Sequence, residues 1–98
     1  MIEKRTVIDQ REVTANGTIQ IRFRKEIIED GNVLAFEYHR TTLQPGDDLD
    51  AQMAVVNAHL EMMGCIAVDD YESVRRIVDV EHTKEVINKF RTSSVKNA

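Results

Sequence analysis

Two of the three histidines could do acid–base chemistry in this chain. Either His39 or His82 could act as a general base if a nearby carboxylate oriented its ring. The sequence offers no marked nucleophile, because it contains no Gly-x-Ser-x-Gly motif. Its four glycines are scattered, so a phosphate-binding loop is also missing. A small enzyme with a histidine–carboxylate site is one hypothesis, but the sequence predicts no catalytic residue and no cofactor.

Three aspartates, Asp47, Asp48 and Asp50, follow the only proline and could bind a hard cation. Their spacing does not fit a calcium loop, which needs oxygen ligands at alternate positions and a central glycine. Asp47 or Asp48 is instead well placed to cap a helix, whose positive end favours carboxylates. The paired His and Cys spacings of zinc sites are missing too. We expect a helix start here and no metal.

Basic residues lie on two candidate strands and could bind nucleic acid. They are Arg22, Arg24, His39 and Arg40. Nucleic-acid platforms of this kind also need aromatic side chains that stack on bases. The register predicted below places Phe23 and Tyr38 on the other face, and the chain has a net charge of −4. A solvated, salt-bridged face is therefore expected, with nucleic-acid binding as the alternative.

The pattern of the first half of the chain predicts three strands. Ile19, Ile21 and Phe23 alternate with polar residues, as in a strand with one buried face. A loop over residues 29–32 would pair Ile28 with Val33. The same register would place Phe23 opposite Tyr38 and Arg22 opposite His39.

The first hairpin is short. A three-residue loop, Ala15-Asn16-Gly17, would pair Val13 with Ile19, whereas a two-residue Asn-Gly turn would pair Thr14 with Ile19. The three-residue loop is favoured.

The second half reads as helical. An apolar stripe predicts the first helix, which Gly64 would end; its residues are Leu49, Met53, Val56, Leu60 and Met63. Asp69 and Glu72 resemble a capping pair for the next helix. Thr83 could cap a third helix, or one long helix could run through His82.

These elements predict an α+β domain: a three-stranded antiparallel meander followed by two or three helices on one sheet face. We expect one domain over residues 1–98, with strands at about 5–43, helices at about 48–92 and a frayed tail at 93–98. Such a sheet has two exposed edges, which invite another chain, so a homodimer is expected.

Compartment and partners are constrained only broadly. The sequence has no apolar run long enough to span a membrane and no signal peptide at its start. Its single cysteine, Cys65, suits a reducing compartment and is expected to be a small core residue, with a reactive thiol as the alternative.

Three stretches carry a family resemblance over roughly residues 5–92: "TIQIRFRKEIIEDGNV", "YHRTTLQPGDDL" and "HTKEVINKF". The chain resembles small phage- and prophage-encoded proteins, often found near tail genes. Lys84 stands where those proteins often have proline, so the last helix should begin less sharply. The resemblance implies a non-enzymatic structural or assembly accessory protein with a phage structural protein as partner, in the bacterial cytoplasm or the virion.

Overall fold

A computed structural model describes residues 1–96, with side chains through Thr92. It confirms the α+β class, with a three-stranded antiparallel sheet of strand order β1-β2-β3 followed by three helices. The strands are β1 (Ile2–Val13), β2 (Ile19–Glu29) and β3 (Asn32–Leu43). The helices are α1 (Leu49–Met62), α2 (Glu72–Glu81) and α3 (Lys84–Lys96).

The first hairpin has the predicted three-residue loop. Val13 pairs with Ile19, and the backbone N–H of Thr14 donates to the carbonyl of Thr18 at 2.9 Å. Gly17 has a φ of 91°, a conformation that glycine adopts without steric cost. The loop therefore aligns β1 and β2 so that Ile19 begins the buried face of the sheet.

The second hairpin turns more tightly than predicted. Asp30 and Gly31 both have positive φ, 50° and 83°, which marks a two-residue turn of the type that suits strand twist. Ile28 pairs with Val33, as expected. The next pair is Ile27 with Ala35, so Leu34 is an extra residue that forms a β-bulge.

The bulge makes the predicted pairing wrong by one residue along the rest of β3. Phe23 pairs with His39 and not with Tyr38, and Arg24 pairs with Tyr38. A one-residue slip moves side chains to the other face of a sheet, because side chains alternate with period two. His39 therefore shares the face of Phe23, and Tyr38 lies on the opposite face.

Helix α1 begins and ends where the sequence predicted. The carboxylate of Asp48 accepts a hydrogen bond from the Ala51 N–H at 3.1 Å, which satisfies one free donor of the first turn. Gly64 follows the helix with a φ of 77°. The stripe is buried at Leu49, Met53, Val56 and Leu60, but Met63 is 44% exposed.

Helices α2 and α3 are separate. The predicted capping pair of Asp69 and Glu72 is wrong, because Asp70 accepts from the Glu72 N–H at 3.2 Å. Thr83 does cap α3: its hydroxyl accepts from the Val86 N–H at 3.3 Å. Helix α3 extends to Lys96, so the tail expected at 93–98 lies partly outside the described residues.

The two faces of the sheet have different surroundings. The core face carries Ile19, Ile21 and Phe23, and it packs against α1 and α2 together with the end of β3. The core consists of Ile19, Ile21, Phe23, Leu43, Leu49, Met53, Val56, Leu60, Val68 and Val74. We call the opposite side, which carries Arg22, the open face.

The sheet is longer than the helices that cover it. Strands of 11 and 12 residues span about 40 Å. Along β2, however, the apolar residues buried by the helices end at Phe23, and beyond it only Ile28 is a buried apolar residue. The chain measures 53 × 23 × 19 Å, with a radius of gyration of 15.8 Å against about 13 Å for a compact domain of this size. The hairpin of β2 and β3, with the start of β1 paired beside it, therefore projects beyond the helical layer.

Candidate interaction surface

Three of the four basic residues singled out in the sequence share the open face. Arg22 and Arg40 lie directly opposite each other on β2 and β3, and Arg24 lies two residues further along β2. His39 points to the other side, opposite Phe23 on the core face. The sequence set therefore divides into an arginine cluster and a separate histidine.

Aromatic rings lie among these arginines. The Arg22 guanidinium carbon is 4.2 Å from the centroid of the Tyr38 ring, and that of Arg24 is 4.0 Å from the centroid of Phe36. Phe36 and Tyr38 meet edge to face at 5.5 Å and are 49% and 39% exposed. Guanidinium groups at such distances are attracted by the electron-rich faces of the rings.

Sequence reasoning missed this arrangement because it placed Tyr38 on the core face. A usable signal was Leu43, the last apolar residue of β3. Pairing Leu43 with Ile19, as the structure does, and counting back in steps of two puts His39 on the core face. The aromatic and basic residues then fall together on the open face.

Carboxylates neutralise part of the cluster. Asp9, the extra residue of a bulge in β1, binds Arg22 through two hydrogen bonds of 3.0 and 2.9 Å. The hydrogen bonds that Arg22 donates to Asp9 are the main cause of its raised pKa. Arg40 has no ion-pair partner among the described residues.

Glu26 is the only charged side chain among the described residues that is buried. One carboxylate oxygen lies 2.8 Å from Arg5 Nη2, and the other lies 3.1 Å from Arg24 Nε. The Arg24 contact is ionic, because its angle does not make a hydrogen bond. A buried carboxylate needs such partners, so Glu26 fixes the positions of both arginines.

His39 occupies the core face between Phe23 and His59. The centroid of the His39 ring lies 6.1 Å from that of Phe23 and 5.1 Å from that of His59 on α1. Burial lowers the pKa of His39, and the neighbouring charges of His59 and Lys25 lower it further. This environment favours the neutral imidazole.

His82 is remote from His39. Its Nε2 lies 2.8 Å from the Gly17 carbonyl oxygen, which can only accept, so Nε2 carries the hydrogen. Gly17 and Phe23 are six residues apart along the chain, which separates the two histidines by roughly 20 Å. Neither histidine forms an ion pair with a carboxylate within the described part of the chain.

The three aspartates after Pro45 have structural partners. Asp47 accepts from the Gln44 N–H at 2.8 Å, and Asp48 caps α1. Asp50 accepts hydrogen bonds from Arg75 and from the Tyr71 hydroxyl, which lower its pKa and fasten α2 to α1. No group of three metal-ligating side chains occurs in residues 1–96.

A groove of about 240 Å³ lies where the core face extends past α1. Lys25 and Ile27 line it from the sheet, and Met63, Cys65 and Ile66 line it from the loop after α1. Cys65 is half-buried against the core. No histidine lines this groove or two further clefts of the described residues.

Comparisons of this chain with known proteins found no similar one. No protein-family model, curated protein or solved structure matches it. No helix of the described residues is long and apolar enough to cross a membrane.

Proposed function

We propose that this protein is a non-enzymatic interaction module that works as a homo-oligomer. The observation that carries the proposal is the sheet itself, which projects beyond the helices with one face and both edges uncovered. Strand edges offer unpaired N–H and C=O groups, and a sheet extended in this way is suited to pairing with another chain.

The exposed apolar residues of β3 support the proposal. Val33 and Phe36 share the open face and are 41% and 49% exposed, and Leu34 in the bulge between them is 56% exposed. Clustered apolar side chains on a small protein mark interaction surfaces more often than scattered ones do.

We extend the proposal to the class of protein. The tyrosine–histidine–arginine strand ending and the Pro-Gly-Asp-Asp helix start resemble those of phage tail-region accessory proteins. In that role the module would assemble with a phage structural protein, in the bacterial cytoplasm or on the virion.

The test is the mass of the purified chain by light scattering over a wide concentration range. We expect a concentration-dependent rise from 11.2 kDa towards twice that value. Phe36→Asp should lower the association, whereas Val80→Asp, at a 71% exposed position on α2, should not. A wild-type mass that stays at 11.2 kDa into the millimolar range contradicts the proposal.

A second candidate function is binding of single-stranded nucleic acid on the open face. It is favoured by the position of Tyr38 and Phe36 among Arg22, Arg24 and Arg40, since stacking rings with cations are what such sites use. The net charge of −4 and the pairing of Arg22 with Asp9 oppose it.

This candidate is tested by titrating a fluorescent oligonucleotide at low and at high salt. Binding should weaken steeply with salt and should fall on Arg40→Gln, which removes a cation without breaking an ion pair. Arg11→Gln on the core face is the matched control. No retention of DNA or RNA at low salt rules the candidate out.

A further inference from the structure

The two edges of the sheet differ in how well they resist pairing. β1 has a bulge at Asp9 near its middle and six charged residues along its length. Bulges and charges are the features by which natural sheets protect an edge. β1 is therefore poorly suited to accept another strand.

β3 lacks this protection. Its bulge at Leu34 lies next to the turn, and residues 35–43 pair with β2 without interruption. Glu37 and Arg40 are its only charged residues, and it contains no proline. Outside the ladder with β2, no backbone group of β3 hydrogen-bonds another backbone group of the described residues.

The charges of β3 select one register for pairing with a copy of itself. A twofold axis perpendicular to the sheet keeps both core faces on one side, so opposed residues must come from the same face. Centring the pair on Glu37 or on Arg40 would oppose like charges, and centring it on His39 or on Phe36 would leave Glu37 opposite Thr41 or Ala35. Centring it on Tyr38 places Glu37 opposite His39 and Phe36 opposite Arg40, each twice.

Both opposed pairs are complementary. Glu37 is 80% exposed on the core face, where its carboxylate could accept a hydrogen bond from the imidazole N–H of His39 in the second copy. Arg40 has no ion pair among the described residues, and an aromatic ring opposite it provides a cation–π contact. Within the single chain, the guanidinium carbon of Arg40 lies 5.7 Å from the centroid of the Tyr38 ring, a weak contact. Pairing would give this cation a second aromatic partner.

Helix α1 adds apolar surface at the same edge. Its flank with Gln52 and His59 contacts β3. Val55 and Met62 lie beside His59, four residues before and three after it, on the side away from the buried stripe. They are 64% and 80% exposed, so the β3 edge continues into an apolar helix flank.

We infer that β3 pairs antiparallel with β3 of a second copy, centred on Tyr38, to form a six-stranded sheet. Resting on the proposed function, the inference names the partner and the surface. The α1 flanks of the two copies would meet across the axis. A strand pair alone is small beside the roughly 1,200–2,000 Å² of a stable interface, and Val55 and Met62 supply added contact.

A charge-swap experiment tests the register. Phe36→Lys and Arg40→Glu should each raise the dimer Kd about tenfold, because each removes two symmetry-related pairs. Combining both substitutions sets the introduced lysine of one copy opposite the introduced glutamate of the other. The double variant should therefore recover to within about threefold of the wild-type Kd. Within one chain the two positions lie about 13 Å apart along the strand, so recovery cannot arise there.

Cross-linking tests the axis. In a Cys65→Ser background, Tyr38→Cys should be captured as a dimer by a short bifunctional maleimide. Val7→Cys is the matched control, since it lies in the same row and on the same face but on β1.

The outcomes separate the two proposals. Capture at position 38 and not at position 7, together with recovery in the double variant, supports the β3 pairing. The pairing is overturned if the wild type dimerises but position 38 is not cross-linked, or if neither single substitution, Phe36→Lys or Arg40→Glu, changes the dimer Kd. Either result leaves the proposed function standing. A monomeric wild type overturns both.

Discussion

The ring of His39 lies 5.1 Å from the ring of His59, with the two planes tilted by 33°. The contact joins β3 to α1 on the core face, and it places His59 beside a ring, that of His39, whose charged form burial already disfavours. Protonation at low pH would therefore act against the packing of the helix on the sheet.

The first prediction is a loss of stability on mild acidification. The pKa of His39 is lowered in the folded chain by burial, His59 and Lys25, from an ordinary value near 6.5. The unfolded chain therefore binds the proton more readily. The contribution of His39 to the free energy of unfolding should be complete above about pH 6.5. It should be lost as the pH falls from there through the lowered pKa of the folded chain.

Urea unfolding at several pH values measures this effect, and His39→Gln should flatten the slope in that window. His59→Gln should move the pKa of His39 back up in an NMR titration, because a neighbouring like charge is removed. Stability that rises as pH falls from about 6.5 would contradict the prediction.

The second prediction concerns Gly17, against which α3 packs. A Cβ at this position would lie 2.7 Å from Val86 Cγ1 and 3.2 Å from Pro45. Gly17→Ala should cost about 2 to 4 kcal/mol, from positive-φ strain and from overpacking. Gly31→Ala is the control, since it has the same strain but no atom within 4 Å, and it should cost about 1 kcal/mol.

Urea midpoints give both values. Adding Val86→Ala to Gly17→Ala should recover the overpacking part. Equal losses for the two glycine substitutions would show that the contact with α3 is not tight.

The third prediction concerns the buried carboxylate of the open face. Glu26→Gln keeps the shape but leaves Arg24 without its carboxylate, so the free energy of unfolding should fall by about 1 to 3 kcal/mol. Glu29→Gln, an exposed control on the same strand, should change it by less than about 0.5 kcal/mol. Chemical denaturation measures both, and a neutral Glu26→Gln would refute the bridging role.

The fourth prediction concerns the bulge. Deleting Leu34 should make the ladder regular while keeping Phe23 opposite His39, at a cost of at most about 1 kcal/mol. Deleting Thr41 either moves Leu43 away from Ile19 or turns residues 34–40 over, and should cost about 2 kcal/mol or more. Unfolding curves rank the two deletions, and the reverse order would count against the bulge.

The predictable parts of this fold are those with local causes. Alternation identified β2, and the Asp48 cap and Gly64 bounded α1, because each depends on residues close in sequence. The pairing of Val13 with Ile19 followed from the preference of Gly17 for positive φ.

The candidate site was harder to predict because it depends on one unpaired residue. Leu34 has no glycine-like signature, yet it determines which face receives every later residue of β3. Arg22 and Arg24 share a face because both lie on β2, but the predicted register put Arg40 on the core face with Tyr38, and the structure places it opposite Arg22. His39 and Tyr38 exchanged faces, and with them the aromatic part of the surface was missed.

The 53 Å length of the chain affects how it moves in solution. Gel filtration sorts particles by hydrodynamic radius, so an elongated chain elutes ahead of a globular protein of equal mass. Sedimentation has the opposite bias, because greater friction slows the same particle. A column mass above 11.2 kDa with a sedimentation coefficient below the globular value would therefore be the hydrodynamic signature of the projecting hairpin, without any self-association.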